Sequence, residues 1–362
     1  MKRAVMLIFR QLFDLQSSTY TYLLADQASR DAILIDPVFE QVPRDLALIK
    51  ELGLRLGLVV DTHVHADHVT GAWLLRNRIN CQIAVSKRSG ASGGDILFND
   101  GDTLNFGGRF LKVVATPGHT NGCSTFVLDD QSMAFTGDCI LIRGCGRIDF
   151  QQGNSGNMFK SIHEKIFTLP DDCLLYPGHD YKGATVTSVY EEKLYNPRLA
   201  NNISLADFTG YMANLGLAHP NKIDIAVPAN LCCGKADWML ADLAEPDWAP
   251  LTLTYAGFWE VQPSWLAEHQ AEVQIVDVRE AKEYRGVYGH ILGSQLMPLG
   301  DLTEMSLSLN KSQPIIAVCR SGARSVQATV KLKKAGFTKV ANLAGGMLRW
   351  QAEHLPVQGF SE

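Results

Sequence analysis

Short apolar runs alternate with helix-like segments along most of this chain. Residues 21–24, 32–35, 58–60, 81–85 and 132–135 are brief, apolar and bounded by turn formers, and they read as strands. Residues 44–52, 73–78 and 158–167 read as helices. Residues 4–9 predict the first strand, since Arg10 cuts the run too short for the apolar segment of a signal peptide. No stretch approaches the ~20 apolar residues that a membrane span needs. Near the C-terminus, residues 314–318 predict a buried strand and 326–335 a helix. Between these halves the pattern lapses. Residues 241–256 hold two prolines, several acidic residues and little periodicity, so they are expected to link a domain of residues 1–240 to one of residues 257–362. Trp248, Phe258 and Trp259 are expected against a domain surface.

Composition agrees with two domains. A chain of 362 residues with 46% hydrophobic content can fill two cores. A net charge of −5 gives no reason to expect a nucleic-acid partner, and no membrane partner is expected either. The eight cysteines show no framework spacing and no CxxC pair, and even vicinal Cys232-Cys233 reads as ordinary thiols. A reducing cytoplasm is the expected compartment.

The chemistry concentrates after the apolar run ending at Val60. His63, His65, Asp67 and His68 fall within six residues, and alternate residues of an extended segment share a face. Neutral imidazole and carboxylate are ligands for zinc and for non-haem iron. Three more candidates occupy glycine-marked turns: His119 in Pro117-Gly118-His119, Asp138 in Thr136-Gly137-Asp138, and His179 in Pro177-Gly178-His179. A lone histidine would more often be a core or surface residue. Five of the ten histidines gathered into these motifs point instead to a metal site.

This ordered series resembles the metallo-β-lactamase superfamily over roughly residues 9–234. The resemblance implies an α/β fold, an αββα sandwich with the metal at one edge. Two chemistries remain open on the ligand types alone. All seven candidates could hold two ions and a bridging hydroxide for thioester hydrolysis, as in glyoxalase II. Alternatively His63, His119 and Asp138 hold one Fe(II) per chain, leaving positions for O2 and a substrate sulfur, with His65, Asp67, His68 and His179 orienting the ligands. Cys145-Gly146-Arg147-Ile148-Asp149-Phe150-Gln151-Gln152-Gly153 is similar to a stretch of persulfide dioxygenases. So are Tyr195-Asn196-Pro197-Arg198 and Asp224-Ile225-Ala226-Val227-Pro228-Ala229-Asn230. That resemblance implies O2-dependent oxidation of glutathione persulfide to sulfite and glutathione. Glutathione carries two carboxylates, so Arg143, Arg147 and Tyr181 are its expected anchors.

A second signal lies in Cys319-Arg320-Ser321-Gly322-Ala323-Arg324-Ser325. A cysteine between a strand and a helix sits among inward amides and the positive helix end, and Arg320 and Arg324 add charge. All of this favours thiolate, the nucleophilic form. The segment resembles a rhodanese domain, an α/β fold with a central parallel sheet. Asp277-Val278-Arg279-Glu280, Gly289-His290-Ile291-Leu292-Gly293-Ser294 and Leu343-Ala344-Gly345-Gly346-Met347 carry the likeness. It implies that Cys319 takes up a sulfane sulfur as a persulfide and passes it on, with Arg320 and Arg324 steering thiosulfate. Asp277 and Arg279 are expected to support the loop. Both halves then handle sulfane sulfur, with glutathione persulfide, glutathione, O2 and thiosulfate as partners and a homodimer left open.

Overall fold

The computed structural model describes residues 6–216, 222–236 and 245–359. They form two compact units. One takes the residues up to 236 apart from Pro43–Glu51, and the other takes that segment with the residues from 245 on.

In the first unit β1 (Leu7–Asp14), β2 (Thr19–Asp26), β3 (Asp31–Ile35), β4 (Arg55–Val60), β5 (Gln82–Ser86) and β6 (Ile96–Phe98) make one sheet in that order. It is antiparallel from β1 to β3 and parallel from β3 to β6. A second sheet runs in order through β7 (Thr103–Phe106), β8 (Arg109–Ala115), β9 (Ser124–Leu128), β10 (Met133–Gly137), β11 (Leu174–Pro177) and β12 (Thr187–Ser188). Only β10 and β11 pair in parallel.

Both faces of the second sheet are covered at β9, β10 and β11, which is why these strands read as apolar runs, whereas β7 alternates exposed and buried residues. Phe126 and Leu128 of β9 join the core shared with Tyr22, Ile33 and Val60 of the first sheet. Val127 between them faces the other way, into a core with Met158, Ile162, Phe208 and Met212. The helices Ser155–Ser161 and Leu205–Ala213 supply that outer layer. The former starts three residues before the predicted 158–167, because the Asn154 side chain accepts from the Asn157 amide and caps it there. It then passes into a π-turn at Ile162–Ile166. The predicted strand of residues 4–9 is seen as β1, with residues 4 and 5 outside the described residues.

In the second unit β13 (Thr252–Leu253), β14 (Trp259–Val261), β15 (Gln274–Asp277), β16 (Gln295–Leu296), β17 (Ile315–Val318) and β18 (Val340–Leu343) form a sheet ordered β13-β14-β18-β17-β15-β16. All pairs but β13–β14 are parallel. Along β17, Ile315 and Ala317 face one core while Ile316 and Val318 face the other. The stretch expected as a linker therefore contributes a strand at residues 252–253, and Trp248 and Leu251 pack on this unit's core. Residues 241–244 of that stretch lie outside the described residues. All eight cysteines are free thiols. Among the described residues no helix is long and apolar enough to cross a membrane.

Candidate functional site

Four loops that begin where strands end carry the seven ligand candidates. His63, His65, Asp67 and His68 follow β4, His119 lies between β8 and β9, Asp138 follows β10 and His179 follows β11. Because β10 and β11 are parallel neighbours, their C-terminal ends set Asp138 beside His179. The seven divide into two groups, His63 with His119 and Asp138, and His65 with Asp67, His68 and His179. Within each, one ligand atom per residue lies within 4.8 Å of the others.

Hydrogen bonds fix which atoms of the first group are available. The Thr62 hydroxyl donates to Asp36 at 2.8 Å, so His63 Nδ1, 2.9 Å from that oxygen, carries the shared proton. His119 Nδ1 donates to the Arg147 carbonyl at 2.6 Å. Each ring thus keeps a lone pair on Nε2, and His119 Nε2 is 3.7 Å from Asp138 Oδ2. Asp138 Oδ1 accepts from His179 Nδ1 at 2.7 Å, leaving Oδ2 free. Burial holds both His63 and His119 below the usual histidine range, in the neutral form a metal requires. Two nitrogens and one carboxylate oxygen, each pinned from behind, fit a divalent ion well. Two further buried ring nitrogens, His65 Nδ1 and His68 Nε2, meet no protein partner, as expected of side chains placed to meet something else.

The second group is bonded largely to itself. His179 Nε2 and His68 Nδ1 each lie 3.0 Å from Asp67 Oδ2. His179 therefore donates from both nitrogens to carboxylates. Burial opposes its charge, but Asp138 and Asp67 outweigh burial and raise its pKa well above the ordinary value. Buried His65 is likewise raised to about 8, because its Nε2 lies 3.1 Å from Asp36.

Several supporting residues have roles that only the structure reveals. Asn230 donates to the carbonyls of His65 and His68 at 3.0 and 2.8 Å and accepts from the Thr70 amide, so it pins the histidine loop. The Thr19 hydroxyl lies 3.2, 3.2 and 3.0 Å from Asp67, His68 and His179, while the Tyr20 amide bonds the Gly178 carbonyl. Asp36, directly after β3, anchors both Thr62 and His65.

A cleft of about 840 Å³ opens on His63, His119 and Asp138. It is lined by Arg147 and Tyr181, by Arg198 from the stretch Tyr195-Asn196-Pro197-Arg198, and by two cations that no motif contains, Lys182 and Lys222. Tyr181 is largely exposed and stacks parallel to His179 at 6.2 Å. Arg143 is not among the lining residues. Its guanidinium is committed to Glu191 and buried Glu192, so its charge is already matched. Arg147 pairs with Asp149 and lies over the Phe150 ring. Its contact to the ligand set is made by its main chain.

In the second unit Cys319 follows β17 and is buried. Its Sγ accepts from the Gly322 amide and the Ser325 hydroxyl, both at 3.2 Å. Burial pushes the thiol up, yet these bonds and the Ser325 and Ser321 amides lower its pKa below the ordinary value. Gly322 has φ +101°, a conformation suited to glycine, and opens the helix Ala323–Lys334. Asp277 and Arg279 form a wholly buried pair, and Arg279 also reaches the Gly289 carbonyl at 2.7 Å. Met347 and Leu348 amides bond the carbonyls of Cys319 and Arg320, which ties the closing turn to the loop. Arg320 lies over the Tyr288 ring at 5.6 Å, whereas Arg324 places both arms on Glu283 at 2.6 Å.

Residues 16–179 match the metallo-β-lactamase superfamily, and residues 262–353 match the rhodanese-like domain. The human mitochondrial persulfide dioxygenase ETHE1 is 57% identical over 229 residues, which cover 63% of this chain and 89% of that protein. The crystal structure of ETHE1 from Myxococcus xanthus shares 52% identity with a TM-score of 0.61, covering 63% of this chain and 99% of its own. A metallo-β-lactamase structure from Staphylococcus aureus shares 25% identity with a TM-score of 0.59, over 94% of this chain and 99% of its own. The chain thus belongs, through its N-terminal part, to the persulfide dioxygenase family of the metallo-β-lactamase superfamily, and it carries a rhodanese-like domain beyond that part.

Proposed function

We propose that residues 1–240 oxidise glutathione persulfide with O2, and that residues 257–362 transfer sulfane sulfur between thiosulfate and glutathione. The first reaction balances as one persulfide, one O2 and one water giving glutathione and sulfurous acid, which ionises to sulfite. One observation carries this reading of the metal centre. His63, His119 and Asp138 converge with one free donor atom each and the other bonded from behind. In the second group His179 gives both nitrogens to Asp138 and Asp67, and Asp67 Oδ2 is shared by His179 and His68, so only His65 and His68 keep an open nitrogen there. These three would hold a single Fe(II). Such an ion, when bound, supplies the redox chemistry by which dioxygen reacts with a sulfur anion.

The surrounding residues perform the rest. Lys182 and Arg198, which make no ion pair among the described residues, give the cleft cations for the two carboxylates of glutathione. Arg147 and Lys222 also line it but are paired with Asp149 and Glu40, and Tyr181 offers a ring and a hydroxyl beside them. His179 keeps Asp138 ionised and oriented. Arg143 helps indirectly, by joining the Glu191 and Glu192 segment to the loop it begins.

At the second site the Cys319 thiolate attacks the outer sulfur of thiosulfate. The S–S bond of the donor breaks, sulfite leaves with the electron pair, and a Cys319 persulfide forms. Glutathione thiolate then attacks the terminal sulfur and releases Cys319 as thiolate. The Gly322 amide and Ser325 hydroxyl stabilise both anionic sulfurs. Covalent linkage raises the effective concentration of the shared intermediate if the two sites can exchange it. Unpaired cysteines fit a reducing compartment such as the cytoplasm.

The test is metal content with two separated activities. Anaerobically purified protein should hold one iron per chain, and Asp138→Ala should lose both iron and O2 uptake on glutathione persulfide while retaining sulfur transfer. Cys319→Ser should lose O2 uptake driven by thiosulfate and glutathione but keep uptake on added glutathione persulfide. Two zinc ions per chain with hydrolysis of S-lactoylglutathione would establish the dinuclear hydrolase instead.

A further inference from the structure

The Cys319 loop has the parts of an anion site. Its amides converge on the sulfur, a twelve-residue helix begins at Ala323, and two arginines lie within it. A small dianion such as thiosulfate would gain most from such a site if both guanidiniums were free to meet it. They are not equivalent. Both arms of Arg324 are taken up by the Glu283 carboxylate at 2.6 Å each. Glu283 is itself held, since its carboxylate accepts from the Glu280 amide at 3.2 Å and its carbonyl accepts from Arg279 at 3.2 Å. Arg324 directly precedes Ser325, whose hydroxyl bonds the Cys319 sulfur at 3.2 Å, which places the Glu283–Arg324 pair beside the reacting loop. Arg320, over the Tyr288 ring, keeps no carboxylate partner among the ion pairs of the described residues.

We infer that Glu283 sets the donor specificity of the Cys319 site, turning it from thiosulfate toward persulfides of low-molecular-weight thiols, which bring a single negative charge to the reacting sulfur group. This rests on the sulfur-transfer reading above. The reasoning is electrostatic. An arginine paired in both arms contributes little net field, and the carboxylate beside it repels a second negative charge more than a single one. A persulfide donor brings one charge on its terminal sulfur, which the amides and Ser325 already accommodate. Thiosulfate brings two, and the Glu283–Arg324 pair offers nothing for the second. Glu283 touches neither sulfur nor donor directly. It is a positioning residue that acts through Arg324.

Glu283→Gln in the full chain keeps the shape and a hydrogen bond while removing the charge. The expected result is a KM for thiosulfate lowered about three- to tenfold with kcat nearly unchanged. The KM for glutathione persulfide as donor, with sulfite as acceptor, should move by less than about twofold. Raising salt should weaken thiosulfate use more steeply in the variant than in the parent. Adding Arg324→Met to Glu283→Gln should return the thiosulfate KM toward the parent value, which a merely structural Glu283 would not produce. An unchanged or raised thiosulfate KM in Glu283→Gln, with parental transfer intact, overturns the inference alone. Absence of Cys319-dependent transfer in the parent overturns it together with the reading beneath it. If Glu283→Gln fails to fold, the parent decides. A KM for thiosulfate well below that for glutathione persulfide at equal ionic strength contradicts the inference, and the reverse order supports it.

Discussion

His119 Nδ1 lies 2.6 Å from the main-chain carbonyl oxygen of Arg147. A peptide carbonyl only accepts, so this contact fixes the proton on Nδ1 and leaves Nε2 for the metal. The loop must run close to the ligands to make it. Gly146 is what permits that approach. A Cβ there would stand 2.4 Å from the Asp138 carbonyl oxygen and 3.0 Å from His119 Nδ1. Gly146→Ala should therefore displace two of the three proposed ligands and reduce bound iron well below one per chain. Gly144→Ala, whose Cβ would meet nothing nearer than Leu141 at 3.9 Å, should leave iron content at the parental level. Iron per chain after anaerobic loading is the measurement. Equal iron in both variants would disprove this role for the loop.

His179 bonds both Asp138 and Asp67, at 2.7 and 3.0 Å. Removing it leaves Asp138 without its orienting partner, and a buried and a half-buried carboxylate without a cation between them. His179→Ala should weaken Fe(II) binding by about 10–100-fold, the usual effect of deleting a residue that orients a ligand. Equilibrium dialysis against Fe(II) under nitrogen gives the number. An unchanged affinity would mean that Asp138 is held well enough by its own loop.

The histidine-rich segment, Asp138 and Cys319 were legible in the sequence because their chemistry is carried by residue type and by position after apolar runs. Their supports were not. Thr19 and Asn230 are neutral residues whose contributions come from distant segments meeting, Asn230 reaching His65 and His68 across more than 160 positions. Arg147 stood out for its charge, yet its contact to His119 uses an atom every residue possesses. Arg143 and Arg198 look alike on paper. Only the fold shows Arg143 bound to Glu191 and Glu192 and Arg198 lining the cleft. The strand at residues 252–253 is too short to impose a period on the stretch that reads as a linker.

Cys319 should titrate as an acidic thiol. The Ser325 hydroxyl and the loop amides favour thiolate over the opposition of burial, so the inflection lies below the ordinary 9.0. Alkylation of the Cys319 peptide by iodoacetamide, followed by mass spectrometry across pH, should level off below that value. Ser325→Ala removes one donor to the sulfur and should move the inflection upward, since the lost bond stabilised only the charged form strongly. An inflection at or above 9.0 in the parent, or one that Ser325→Ala does not move, would contradict this account.

Arg279 and Asp277 are both fully enclosed, with the guanidinium spanning both carboxylate oxygens. A buried pair of this kind contributes little compared with a matched apolar replacement, but losing one partner is costly because the other charge stays buried. Arg279→Met should destabilise the second unit by about 3–5 kcal/mol, and it also removes the donor that holds the Gly289 carbonyl. Asp277→Asn combined with Arg279→Met should recover part of that loss by removing the stranded charge. Urea unfolding followed by tryptophan fluorescence reports this, because Trp248, Trp259, Trp265 and Trp350 place four of the six tryptophans in this unit. The metal centre provides the internal control. Iron binding in Arg279→Met should match the parent, since no ligand of that centre belongs to the same sheet. Should the single variant unfold at the parental urea midpoint, the pair does not support the loop.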